Sequence, residues 1–442
     1  MADKKALLLG HAREDITPPL GVSMAGYAYR KDAGCTAILQ PIFADACFMQ
    51  QGDFRLVIIT LDLCLVDEQW STPVRERIAA QLGLPVNHVA IMASHTHFGP
   101  STGRPVNDEH AAWQQECFDK MYQIAIKAAQ NPQPATIRVA KADISRIAYN
   151  RRPVRADGTC CTAYTLPAPE ANLRFRPIDP MQTVIRFDGV DGRPVMLFVS
   201  TPMHAVVGGS DSMAISPDYP GMLRAAVESV YNAPMMFAAG TAGNVVPFKR
   251  GLALRKIIGN YLAGAALQAT EMAEACGGQL GLVQKRIDIP VAERLDEATM
   301  QARVDAAKAN LATCQATGDA WAINRAEYAV QRAEALSRAA QRRGPGNTMP
   351  FDITVIGLGE MAIVCLPGEI FAETGLHIQA RSPFPQTLVV SLTNQQTGYL
   401  ATANAVWEGG YEGATSQYSE ESEIYACNQA VLMLMHVWEA TR

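Results

Sequence analysis

Short apolar runs punctuated by turn residues dominate the amino-terminal half of the chain, and their lengths separate strands from helices. Residues 6–12, 43–50, 55–62 and 88–94 are predicted as short strands. A helix is predicted over 72–83, with Ser71 or Thr72 as its cap and Pro73 near its first turn. A longer helix is expected over 109–130, where Asn131-Pro132 stops the pattern. Strands recur at 136–142, 182–188, 194–200 and 235–239, with turns at Asp188-Gly189 and Asp191-Gly192, and a helix follows near 253–276. This alternation predicts an α/β protein built from mixed β-sheets with flanking helices.

Residues 292–342 change texture, becoming rich in Ala, Glu, Arg and Gln, with a break at Thr317-Gly318-Asp319. They are predicted to form a helical hairpin inserted over about 292–346 and ended by Arg342-Arg343-Gly344-Pro345-Gly346. A packed structural excursion is the plainer expectation for it, ahead of a lid or an oligomer contact. Strands resume at 351–356, 361–366 and 387–392, so residues 1–442 are expected to form one discontinuous domain around the insertion.

Composition narrows the class. Of the 442 residues, 48% are hydrophobic and 18% charged, which fits a folded globular chain. A net charge of −5 gives no electrostatic reason to expect a nucleic-acid partner. The apolar run Ala6-Leu7-Leu8-Leu9-Gly10 is too short for a secretion signal, and no stretch is long enough for stable membrane insertion. Ten cysteines without a CxxC spacing point to a reduced, cytoplasmic protein.

Candidate chemistry sits at the ends of predicted strands. Val89-Ala90-Ile91-Met92 runs into Ser94-His95-Thr96-His97-Phe98-Gly99-Pro100, presenting two imidazoles one residue apart. Imidazole is the commonest neutral nitrogen ligand for a metal. A second strand ends at Thr201-Pro202-Met203-His204, and a third at Leu366-Pro367-Gly368-Glu369. A fourth leads through Leu392-Thr393-Asn394 to Tyr399. Strand ends on one side of an α/β sheet converge in space, so four such endings can build one site. Each has a plain alternative: His204 as a satisfied core histidine, Glu369 as a helix N-terminal acid, Tyr399 as a half-buried aromatic.

At these residues the chain resembles the neutral/alkaline ceramidase family, zinc-dependent amidases of N-acylated sphingoid bases. Asp15-Ile16-Thr17-Pro18-Pro19-Leu20-Gly21 with Met24-Ala25-Gly26-Tyr27 is similar to the family's amino-terminal signature. Ser94-His95-Thr96-His97-Phe98-Gly99-Pro100 resembles its SHTHSGP element, and Ile215-Ser216-Pro217-Asp218-Tyr219-Pro220-Gly221 after His204 resembles a further segment. Leu366-Pro367-Gly368-Glu369, Asn394 to Tyr399 and Tyr411-Glu412-Gly413-Ala414 complete the ordered set. The resemblance implies that His95, His204, Glu369 and Tyr399 bind one zinc ion, Zn2+, that would activate water and polarise the scissile carbonyl. It implies that His97 shuttles a proton, that Tyr411 hydrogen-bonds the developing oxyanion, and that Arg151 holds a polar or anionic part of the substrate. Arg152 is the neighbouring alternative for that last role, and an exposed arginine pair the plain one. The pocket is expected to open beside Tyr27, Arg151 and Tyr411, with Tyr27 and Asn244 contacting substrate.

Departures from the family pattern shape the expectation. Where the family carries a GDVSPN turn, this chain has Gly243-Asn244-Val245-Val246-Pro247-Phe248, so the serine position is Val246. The carboxy-terminal immunoglobulin-like domain of long members and a secretion signal are both expected to be missing. No basic amphipathic helix that could dock on a membrane is evident. The leading expectation is therefore a zinc-dependent hydrolase cleaving the amide bond of a small or soluble N-acyl substrate. Alternatives are an ester, lactone or carbohydrate-directed hydrolase or lyase on the same zinc site, and a non-catalytic binding or scaffold protein. Self-association into a homo-oligomer stays open.

Overall fold

The computed structural model describes residues 6–343 and 346–442. Three amino-terminal strands, β1 (Leu7–Asp15), β2 (Phe43–Gln51) and β3 (Phe54–Leu61), form an antiparallel meander. Helix α1 (Glu68–Leu82) then carries the chain to β4 (Val89–Ala93), which lies parallel to β3. Helix α2 (Asp108–Gln130) precedes β5 (Gln133–Asp143), and β6 (Met181–Asp188) and β7 (Pro194–Thr201) continue antiparallel. A second crossover through α3 (Tyr219–Tyr231) delivers β8 (Met235–Ala239) parallel to β7, and α4 (Leu254–Glu271) follows. The order along this sheet is β8-β7-β6-β5-β1-β2-β3-β4, with Glu274–Ala275 added beside β5. Strand β8 also touches β3 and β4 at the far end of that order, so the sheet curls until its ends meet.

The second sheet is a long antiparallel ribbon, β9 (Leu280–Arg294) with β10 (Gly346–Leu358), extended by β11 (Met361–Cys365) and β12 (Gln386–Val390). Helices α5 (Glu297–Thr317) and α6 (Ala320–Arg343) grow from the tip of the ribbon, between its strands. The Ala-rich stretch is thus a helical hairpin inserted into a β-hairpin; Gly344 and Pro345 of its expected end lie outside the described residues. Helix α7 (Ala372–Ala380) connects β11 to the parallel β12. The chain ends in α8 (Ala403–Glu408), α9 (Gly410–Thr415) and α10 (Ser422–Ala440).

Burial of apolar area fixes the layering. Met49, Ile58, Met92, Phe187 and Phe198 of the curled sheet pack against Ile356, Ile363, Leu388 and Val390 of the second sheet. Trp70, Ile78, Trp113 and Met121 cover one outer stretch of the curled sheet, and Leu223, Val227 and Leu262 another. Ile378, Leu434 and Val437 cover the outer face of the second sheet. The result is the expected mixed α/β architecture with flanking helices. All ten cysteines are free. Among the described residues no helix is long and apolar enough to cross a membrane.

Two helix limits differ from expectation. Helix α1 begins at Glu68, because the Asp67 side chain accepts the Gln69 N–H and caps it, while Pro73 lies inside the helix. Ser71, expected as a cap, is buried and donates its hydroxyl to the Asn394 carbonyl instead. Helix α4 stops at Glu271, so that Glu274 and Ala275 can pair with Val139 and Arg138. Helix α3 was not apparent in the sequence because Pro220 and Gly221, poor helix formers, occupy its first turn, where proline's missing N–H costs nothing.

Candidate metal centre

Each histidine and carboxylate of interest stands just beyond a strand of a parallel pair. His95 follows β4 and adopts φ 63°, a left-handed conformation uncommon outside glycine, though histidine enters it more readily than most residues. His204 follows β7, and the backbone of Ala205 pairs with Thr96 and accepts the His97 N–H, locking the two histidine loops together. Glu369 follows β11 through the turn at Gly368, which has φ 76°. A Cβ at Gly368 would stand 2.4 Å from the Gly398 carbonyl oxygen, so glycine permits Glu369 to pair with Tyr399 as direct neighbours.

Two imidazoles and one carboxylate then converge. Glu369 Oε2 is 3.3 Å from His95 Nε2 and 3.2 Å from His204 Nε2. His95 Nδ1 lies 2.7 Å from the Cys64 carbonyl, and His204 Nδ1 lies 3.1 Å from the Val245 carbonyl, with Ala242 as a second acceptor. A carbonyl only accepts, so Nδ1 carries the proton in both rings and each Nε2 turns a lone pair inward. His204 Nε2 and Glu369 Oε2 are buried and have no hydrogen-bond partner. Buried acceptors left this way cost stability unless a cation or proton sits among them. Ligand atoms about 2.0–2.1 Å from a tetrahedral ion stand about 3.3 Å apart, which is the separation seen between these donors. The donor set therefore fits a divalent ion of zinc type.

The same groups also shift one another's ionisation. Burial opposes ionisation of Glu369, but His95 and His204 override it and hold the carboxyl well below its usual range. Burial would also lower His95, yet the Glu369 carboxylate raises it well above an ordinary histidine. Burial, with Arg151 nearby, lowers His204 to about 4. His97 stands with its Nε2 3.3 Å from His95 Nε2, and burial with the two neighbouring histidines pushes it well down, leaving it neutral. A Cβ at Gly26 would come within 2.8 Å of three His97 atoms, so the glycine makes room for that ring.

A ring of arginines and tyrosines closes the far side. Arg151 donates to the Tyr399 hydroxyl at 3.1 Å and to the Gly243 carbonyl at 3.1 Å, while its Nε meets Glu412. Arg152 reaches the other oxygen of the same carboxylate at 2.9 Å. Both arginines and Glu412 are buried, so the exposed-pair alternative is corrected: burial is sustained by one carboxylate shared between two guanidiniums. Glu412 had no predicted role, and its place beside Tyr411 is the one local signal for it. Burial and the Glu369 charge keep the Tyr399 phenol well above its ordinary value, against the pull of Arg151. Tyr411 packs its ring 5.8 Å from that of Tyr399, and burial raises its phenol to about 12. Tyr27 meets the His97 ring edge-on at 4.9 Å.

Glu369, Tyr399 and Tyr411 line a cavity of about 850 Å³ with Asp67, Gln396 and Gln417. Tyr411 is among the residues lining it, whereas Arg151 and Tyr27 are not: Arg151 bonds the Tyr399 hydroxyl and Tyr27 packs against His97. Asn244 occupies a different place from the one anticipated. It is fully buried, its amide donating to Glu373 and its carbonyl oxygen accepting the Ala372 N–H. It therefore braces the start of α7 behind the site and does not face the cavity.

Fold and donor cluster together define an α/β protein whose parallel strands end in a histidine–carboxylate centre. The chain belongs to the neutral/alkaline non-lysosomal ceramidase family, whose N-terminal region matches residues 7–253. A neutral ceramidase of Oryza sativa subsp. japonica is 26% identical over 225 residues, or 48% of this chain. That match takes in 28% of the rice protein's own length. The crystal structure of neutral ceramidase from Pseudomonas aeruginosa superposes with a TM-score of 0.75 at 18% identity, covering 99% of this chain and 75% of that one. A ceramidase complexed with C2 gives 0.74 at 17%, over 99% and 76% of the two chains. At these identities the superpositions establish a common fold, which extends past residue 253 to the strands bearing Glu369 and Tyr399.

Proposed function

We propose that this protein is a zinc-dependent hydrolase cleaving the amide bond of a small or soluble N-acyl compound. The observation that carries this is the pair of buried, unpartnered acceptors, His204 Nε2 and Glu369 Oε2, facing the inward lone pair of His95. His95, His204, Glu369 and Tyr399 would hold the ion. When bound, it supplies Lewis acidity that activates water and polarises a carbonyl. The chain's own residues perform the rest. His97, kept neutral by burial, takes a proton at its imidazole and returns it to the departing nitrogen, so that water and amide become a carboxylic acid and an amine, which then share the acid's proton as carboxylate and ammonium. Tyr411, protonated at neutral pH, donates to the carbonyl oxygen as charge develops there. Arg151 fixes the Tyr399 phenol against Glu412 and adds positive charge behind the reacting carbonyl.

The polar cavity, with Asp67, Gln396 and Gln417 on its walls, supports a soluble substrate over a long-chain lipid. The cytoplasm is the compartment we assign, on the strength of ten unpaired cysteines. The test is metal analysis of purified protein beside hydrolysis of amides, esters and lactones sharing one acyl chain. One zinc per chain and chelator-sensitive amidase activity are expected. Activity that persists in metal-free protein would overturn the proposal, and faster turnover of the ester or lactone would reassign the bond.

A further inference from the structure

Near the site stands an arginine, Arg250, that makes no ion pair with any of the described residues. Arg250 sits on the loop before α4, where the next residue, Gly251, donates its N–H to Val207 three residues past His204. Its Nε and Nη2 are buried and have no hydrogen-bond partner. The Tyr27 hydroxyl is buried and unpartnered too. Tyr27 packs with Tyr149, Val246 and Phe248 in one small apolar cluster, and Phe248 lies two residues before Arg250. The largest charge influences on Arg250 are those of Tyr27, Arg151, Tyr149 and Tyr164, and none of these four is a carboxylate. Tyr164 lines, with Tyr411, a cavity of about 490 Å³ adjoining the reaction site.

A half-buried guanidinium with two buried, unpartnered nitrogens carries a cost that a ligand supplying the missing acceptor would remove. Arg250 Nε and Nη2 and the Tyr27 hydroxyl, close enough for each to feel the other's charge, are three unpartnered donors of the kind that an anion's oxygens accept from. Position tells which part of the substrate carries it. Tyr27 lies edge-on against His97, the residue assigned to protonate the departing nitrogen, so this donor set is on the leaving-group side.

We propose that Arg250 and Tyr27 bind an anionic group on the amine half of the substrate, making the preferred substrate an N-acylated amine that bears a carboxylate or a phosphate. The inference rests on the hydrolase reading above, and its test separates the two. Binding is measured by calorimetry on metal-loaded protein carrying a His97→Ala change, which prevents turnover, and hydrolysis is measured separately on protein with His97 intact. The ligands are N-octanoylglycine, N-octanoyl-O-phosphoethanolamine and the neutral N-octanoylglycinamide. We expect at least one anionic ligand to bind about tenfold or more tighter than the neutral amide, in line with hydrogen bonds to a charged group. Which of the two anions binds tighter distinguishes carboxylate from phosphate. Arg250→Ala is expected to abolish the preference and Tyr27→Phe to reduce it, both without loss of bound zinc or of the thermal transition. Equal binding of the three ligands, or a preference that survives Arg250→Ala, would overturn the proposal. Selective anion binding by a protein that hydrolyses none of the three would sink the hydrolase reading and leave the anion site standing.

Discussion

At the scale of single residues, the site separates groups that hold an ion from groups that move protons, and the two should respond differently to substitution. His97 is neutral and its Nδ1 is unpartnered, whereas His204 is fixed by two carbonyls. His97→Ala is expected to keep the metal and to lose turnover by about 100- to 10,000-fold, the usual contribution of a general acid–base group. Metal content and kcat measured on the same preparation check this; a variant losing both would make His97 a ligand. Glu412 gives a pH prediction. Burial pushes its carboxyl up, but Arg151 and Arg152 pull it below the ordinary value of 4.5. A depressed carboxylate contributes stability that is present above its unfolded value and is lost as pH falls through the lower, folded one. Urea unfolding followed from about pH 6 down to about pH 3.5 should therefore show a shallower loss in Glu412→Gln than in the parent. Parallel slopes would mean that the buried pair does not set the acid limb.

At the scale of elements, the inserted hairpin packs against the segment that carries Tyr411 and Glu412. Arg332 of α6 donates to the carbonyls of Gly413, Ser416 and Tyr418, which follow Tyr411 and Glu412 along the chain. Tyr328 of the same helix packs where a Cβ on Gly409 would be, just before α9. Arg332→Ala should cost about 1–3 kcal/mol of stability and loosen Tyr411, lowering kcat while zinc content holds. Unchanged kinetics would mean that the hairpin only packs against the site. The sequence made the hairpin legible, since its composition and its break at Thr317-Gly318-Asp319 are local signals. The strand ends bearing His95, His204 and Glu369 were legible for the same reason: an apolar run followed by a polar side chain is written locally. The rest was not. The left-handed backbone at His95, the burial of Arg151 and Arg152 on Glu412, and the turning of Asn244 away from the cavity depend on contacts between segments more than 90 residues apart. Hydrophobic periodicity carries no information about such distant pairings.

At the scale of the whole molecule, the candidate ligands come from three separate strand ends. His95 extends from the strand at one end of the curled sheet, His204 from the second strand in from the other end, and Glu369 from the second sheet. A cation among them would close the curl and pin the second sheet to it, replacing buried acceptors that lack partners with coordinated ones. Binding to the folded state alone stabilises it in proportion to the logarithm of ligand excess, about 4 kcal/mol at 1,000 times the dissociation constant. Adding zinc to chelator-treated protein should therefore raise the thermal transition, with the increase growing as zinc concentration rises. In His204→Ala the three remaining donors bind far more weakly, so the same titration should leave the transition nearly unmoved. An equal rise in parent and variant would place the zinc elsewhere on the surface. A parent protein indifferent to zinc would show that the donors are held by packing alone.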